Sequence, residues 1–303
     1  MNVFKSTFDN LKSYVTTHKV TAGLIGALLI VFIGGFFFFQ NSQSQTAGPV
    51  EEIDLTFDAE GPYALLYPRK DGNALVLKLL RTSSYDEISY ELAYTSKADE
   101  TIVTGTKISE EEGEAPDVID RGVVGNIDTQ DKRGEYEQEI LFGSCSKNVC
   151  KYDQGVENGT LTLRIRKGNK AYRIITQWHL QKPDVALGVL TSGDEHFTYK
   201  MKDDRSVLAN VGFSIVNDLI GVPKLPSGKE VLGKVYALNV PISKTLPTGE
   251  ITIEMAENVP ADAKVYRYDE SKSEWQELAS KADGSKLTTA ANGAGIFAVL
   301  TSK

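Results

Sequence analysis

The chain has 303 residues, 41 acidic against 33 basic side chains, a formal charge of −8, three histidines and two cysteines. That balance excludes nucleic acid and anionic lipid surfaces as partners, because both are held by clustered Lys and Arg. The HExxH, GxSxG and Walker-type glycine patterns that mark common hydrolases and nucleotide enzymes do not occur in it.

Residues 20–39, VTAGLIGALLIVFIGGFFFF, run for twenty residues without a charge. At 1.5 Å per helical residue they cover the roughly 30 Å hydrocarbon core, which predicts one membrane-spanning helix. A removed secretory signal is the alternative, but its apolar region spans about 7 to 15 residues and ends at a small-residue cleavage site. Only Ser42 and Ser44 offer one. Lys5, Lys12 and Lys19 precede the span, and no Lys or Arg lies between it and Arg69, so positive-inside logic leaves the N-terminus in the cytoplasm. The expected location is therefore the cell membrane, single-pass, with everything from about residue 40 outside.

The cytoplasmic segment, residues 1–19, places Phe4, Phe8, Leu11 and Val15 on one face of a short amphipathic helix, suited to the lipid interface or to a partner. Ala22 with Gly26 and Gly23 with Ala27 form small-xxx-small pairs within the span, a pattern that permits self-association. Residues 40–50 read as a polar linker. The first 49 residues hold three lysines against one aspartate, which leaves −10 for the remainder.

From residue 51 the apolar period is two. Ile53, Leu55 and Phe57 alternate with polar residues, as do Ile88, Tyr90, Leu92 and Tyr94, and both runs predict half-buried strands. ALVLKLL at 74–80 is more continuously apolar and predicts a central strand covered on both faces. Leu161, Leu163 and Ile165, then the turn Lys167-Gly168-Asn169-Lys170, then Tyr172, Ile174, Thr176, Trp178 and Leu180 predict a β-hairpin. Pro183-Asp184 marks a domain boundary. Beyond it, residues 213–220 fit a short helix or an irregular crossover, while 235–240, Ile251/Ile253/Met255 and 296–301 fit strands. The expected fold is mainly β: an N-terminal transmembrane helix followed by two tandem β-sandwich domains, residues 51–182 and 183–303. A boundary this short also permits the two to pack as one unit.

The succession VYALNVP, ITIEM, KVYRYDESKSEWQELAS, DGSKLTTA and GIFAVLTS, from about Val235, resembles the closing strands of immunoglobulin-like or ZU5-like β-sandwich modules of bacterial membrane-anchored surface proteins. The resemblance covers about seventy residues and implies a fold and a surface setting, not an activity. The first domain, with ISYELAY and GSCSKNVCKYD, is similar to envelope proteins of small-genome bacteria.

Cys145 and Cys150 are spaced C-x4-C. A zinc site needs about four ligands and a thioredoxin-type pair needs C-x-x-C opening a helix, so a structural disulfide at a hairpin tip is the expected use in an oxidising compartment. With Lys147 and Lys151 on an acidic background, that tip is a predicted contact site. Tyr63, Tyr67, Tyr85, Tyr90 and Tyr94 cluster in sequence, and Tyr90 and Tyr94 are taken as part of an exposed aromatic surface for protein or glycan contact. Trp178 and Trp275 are expected in the core or at a sheet edge. The acidic run Glu110, Glu111, Glu112, Glu114, Asp117 and Asp120, and the group Asp128, Asp131 and Glu135, lack EF-hand spacing, which leaves calcium as the weaker alternative to solvated loops. No catalytic, cofactor or metal residues are assigned. The function expected is binding or assembly at the cell surface, adhesin-like or structural, with an extracellular protein or glycan partner. The alternatives are a membrane-tethered glycan hydrolase using a carboxylate pair and an accessory subunit of an envelope membrane complex.

Overall fold

The computed structural model describes residues 52–55, 57–98, 118–131, 133–147, 149–182, 188–202, 213–216 and 219–303. The predicted cytoplasmic segment, span and linker lie outside the described residues, as does most of the acidic run at 110–117. Among the described residues the chain is mainly β, and no helix there is long and apolar enough to cross a membrane.

Among the described residues ten strands precede residue 183: β1 (Glu52–Leu55), β2 (Tyr63–Pro68), β3 (Ala74–Leu80), β4 (Glu87–Lys97), β5 (Val118–Ile127), β6 (Glu135–Leu141), β7 (Gly143–Ser146), β8 (Val149–Tyr152), β9 (Asn158–Lys167) and β10 (Lys170–Gln181). Ten follow it: β11 (Val189–Thr191), β12 (Phe197–Met201), β13 (Phe213–Val216), β14 (Lys229–Asn239), β15 (Thr248–Glu254), β16 (Lys264–Asp269), β17 (Glu274–Glu277), β18 (Lys281–Asp283), β19 (Lys286–Asn292) and β20 (Gly295–Ser302).

Period-two patterning works where one face is wet. In β4 the residues Ile88, Tyr90, Leu92 and Tyr94 are buried while Ser89, Glu91 and Ala93 turn outward. The predicted hairpin is β9 with β10, turning through Lys167-Gly168-Asn169-Lys170. Three expectations need correction. β1 is a short addition lying parallel to β10, and Ile53 and Phe57 point outward, leaving Leu55 to meet the core. β3 is the middle strand of a three-stranded sheet, but beyond Ala74 only Leu75, Leu77 and Leu79 are fully buried, because Val76, Lys78 and Leu80 face the half-exposed side. The segment at 213–220 opens as strand β13, which pairs β10 on one side and β14 on the other.

That last pairing decides the architecture. The strands run β17-β16-β20-β14-β13-β10-β9-β4-β5 in one large sheet, so residues on both sides of 183 share a single sheet. Against it stand a five-stranded sheet, β11-β12-β15-β19-β18, and the three-stranded sheet β2-β3-β6. A larger apolar cluster joins β2, β3, β4, β9 and β10, with Trp178 fully buried. A second cluster joins β12, β15 and β19 around Phe197, Tyr199 and Ile251. Both draw on the same three strands: Ile296, Ala298 and Leu300 of β20 enter the first, and Phe297 and Val299 enter the second. β14 divides likewise, with Val235 and Ala237 against Tyr236 and Leu238, and β16 sends Tyr266 one way and Val265 the other. Residues 51–182 and 183–303 are therefore fused through a common wall rather than strung in series, and residues 51–303 form one compact unit.

Candidate functional site

The Cys145–Cys150 bridge is formed. β7 and β8 are a two-stranded ribbon in which the two cysteines sit directly opposite each other, with Cα atoms 4.0 Å apart. Gly143 opens the ribbon at φ 128°, and a Cβ there would run into the Lys151 carbonyl oxygen, so only glycine admits this approach of the two strands. The ribbon is anchored at its base by the Phe142 amide donating to the Asn73 carbonyl (2.9 Å) and the Asp153 amide donating to the Phe142 carbonyl (3.0 Å). Lys147 lies at the exposed tip, and Lys151 lies on the ribbon's flank.

Between this ribbon, the end of β4 and β5 runs a groove of about 650 Å³, lined among others by Lys97, Arg121, Lys151, Tyr152 and Asp153. Its polar centre is Asp153, whose side chain is only 13 % exposed. The Tyr94 hydroxyl donates to Asp153 Oδ2 at 2.8 Å, and Arg121 reaches Oδ1 at 3.5 Å. Burial, followed by the hydrogen bond to Asp153, pushes the Tyr94 pKa up, so the phenol stays a neutral donor. The Tyr94 ring meets Phe142 edge-on at 4.8 Å, and Phe142 stacks on Trp178 at 5.8 Å. This aromatic stack fixes the groove floor. Arg121 Nε is buried without a hydrogen-bond partner, as is Trp178 Nε1. On the far side of Tyr94 and Arg121 lies a second depression of about 480 Å³, bordered by Asp120, Asn158, Gln177 and Gly193.

A third groove, about 610 Å³, opens between the three-stranded sheet and the ends of β14 and β16, where the Tyr67 hydroxyl donates to Glu270 (3.1 Å). Burial and the Glu270 charge both push the Tyr67 pKa upward.

The structure separates the predicted contact residues. Lys147 and Lys151 are exposed on the stapled ribbon. Tyr90 and Tyr94 are 4 % and 5 % exposed, which corrects the exposed aromatic surface: both point to the inner face of β4, Tyr90 packing near Tyr136. Trp178 takes the core place expected of it, and Trp275 is partly buried, donating from Nε1 to the Pro223 carbonyl at 3.3 Å. Lys97, Arg121 and Asp153 were not singled out by sequence. For Arg121 a signal existed: in VIDRGVVGNI it occupies the inward register with Ile119, Val123 and Ile127, an unusual place for a charge. Among the described residues no three His, Cys, Asp or Glu side chains stand together as a metal site. Asp131 is held by Arg133 at 2.7 Å. No known family, curated protein or solved structure matches this chain.

Proposed function

We propose that this chain is a single-pass, membrane-anchored envelope protein whose β-rich part stands outside the cell as layered β-sandwich units and works by binding or assembly, without catalysis. One observation carries the reading: a groove with three cationic lining side chains and one acid, already engaged by Tyr94 and Arg121, lies beside a disulfide-fixed ribbon on a part of the chain whose net charge is −10. A local cationic site on a net-acidic part of the chain selects ligands bearing carboxylates. The bridge supports an oxidising compartment. The uncharged run at 20–39 with its lysine-flanked N-terminal side supports the anchor and its orientation.

Topology is the test. In intact cells producing the full-length chain, a membrane-impermeant reductant followed by an impermeant maleimide is expected to label Cys145 and Cys150. Labelling that appears only after lysis overturns the reading.

A further inference from the structure

The groove has a second property that its charge does not explain: among the described residues, one wall is an open sheet edge. β5 ends the large sheet, pairing β4 along all ten residues, from Val118 opposite Lys97 to Ile127 opposite Ile88. Among the described residues no strand pairs with its other side. An unpaired edge exposes a row of amides and carbonyls to any extended chain, and proteins normally blunt such edges by shortness, proline, lysine or a bulge. Most other terminal strands obey this rule, β2 by ending on Pro68, whereas β6 has seven residues without proline or lysine but carries three glutamates. β17 at the opposite end of the same sheet has four residues, and β11 and β18 at the ends of the five-stranded sheet have three each. β5 has ten, in unbroken register, with no proline and no lysine. Its outward side chains include Val124 at 74 % and Val118 at 55 % exposure. Three consecutive residues of β5, Arg121, Gly122 and Val123, line the groove, so it is reached along the strand and not through one face alone.

Resting on the carboxylate-binding reading above, we propose that β5 is a strand-addition site whose occupant is an extended acidic segment of a partner protein. The occupant's backbone completes the β5 ladder, and its alternate carboxylates meet Lys97, Arg121 and Lys151 across the groove from the stapled ribbon. Main-chain pairing supplies affinity without regard to sequence, and the cations supply the preference for acid. Burying the outward row of β5 also removes Val118 and Val124 from water.

The probe is an eight-residue blocked peptide alternating glutamate and valine, tested against full-length protein in lipid nanodiscs by fluorescence anisotropy, with hydrogen exchange read over 118–127. A twin peptide carries N-methyl groups on its four central amides, which blocks both of its edges while keeping every charge. The parent peptide is expected to bind and to slow exchange in β5, and the twin to bind at least about tenfold more weakly. Lys97→Gln with Lys151→Gln is expected to weaken the parent peptide by a similar factor of about ten. Equal binding of both peptides with unchanged exchange at 118–127 overturns strand addition and leaves the cationic groove standing. No binding of either peptide overturns both readings.

Discussion

Asp194 shows how one partly buried carboxylate is kept ionised. Burial raises its pKa, yet hydrogen bonds from Ser192, from Lys234 (3.1 Å) and from the His196 amide (3.2 Å) outweigh that and hold it below the usual carboxylate value. Tyr236, a member of the second core, also donates to it at 3.2 Å. The native pKa therefore lies under the unfolded value of about 3.9. The unfolded chain takes up the proton first as pH falls, so this stabilisation is complete above about pH 4 and is lost as pH drops through the native value. Asp194→Asn is expected to lower stability at neutral pH by about 1 to 3 kcal/mol. It should also flatten the acid limb of a melting-temperature profile, and an unchanged limb would remove Asp194 from the account. The Tyr94–Asp153 pair works the other way round: there the tyrosine is the group whose ionisation is suppressed, and the carboxylate gains a fixed donor.

At the level of single strands, Gly159 of β9 is the tightest test of packing. It sits opposite Trp178 of β10 and Tyr94 of β4, and a Cβ there would run into the Ala93 carbonyl and the Trp178 indole. Gly159→Ala is expected to cost about 1 to 3 kcal/mol, because neither the backbone nor a stacked indole can move aside cheaply. The near-ultraviolet circular dichroism of Trp178 should change with it. An unaltered spectrum and melting temperature would mean that the β4–β9–β10 contact is looser than described. These three strands were the most legible in the sequence, since strict alternation in ISYELAY and LTLRIRK has only one strand reading. In ISYELAY the alternation itself sets Tyr90 and Tyr94 beside Ile88 and Leu92 on the buried face, so the exposed aromatic surface rests only on the clustering of tyrosines in sequence, which carries no information about facing. FSIV at 213–216 is short and apolar, and a four-residue run fits helix or strand equally until β10 and β14 claim its two edges. Cys145 and Cys150 were legible because the alternatives to a staple need more ligands or a helix. The groove was not, because Lys97, Arg121 and the Lys151–Asp153 stretch come from three separate places in the chain and meet only through long-range pairing.

Seen whole, residues 51–303 are two cores with three strands in common. VYALNV at 235–240 and IFAVL at 296–300 are buried without interruption because each strand presents one face to each core, a meaning that a continuous apolar run does not disclose by itself. Coupling follows from that. Phe297 is fully buried in the second cluster, and Phe297→Ala is expected to cost about 3 to 5 kcal/mol. Because Ala298 of the same strand belongs to the first cluster, hydrogen-exchange protection should fall together in β4 and β15. Loss confined to β15 would show that the cores melt independently. The shared wall also sets an order of events during synthesis. β20 lies between β14 and β16 in space but is made after both, so the ribosome must deliver residues 295–302 before either core has its lining. Until then β4, β9 and β15 are complete as sequence and unfinished as structure. Strands made early in the chain therefore wait for one made late, and both cores stay open on one side until residues 295–302 take their place between β14 and β16.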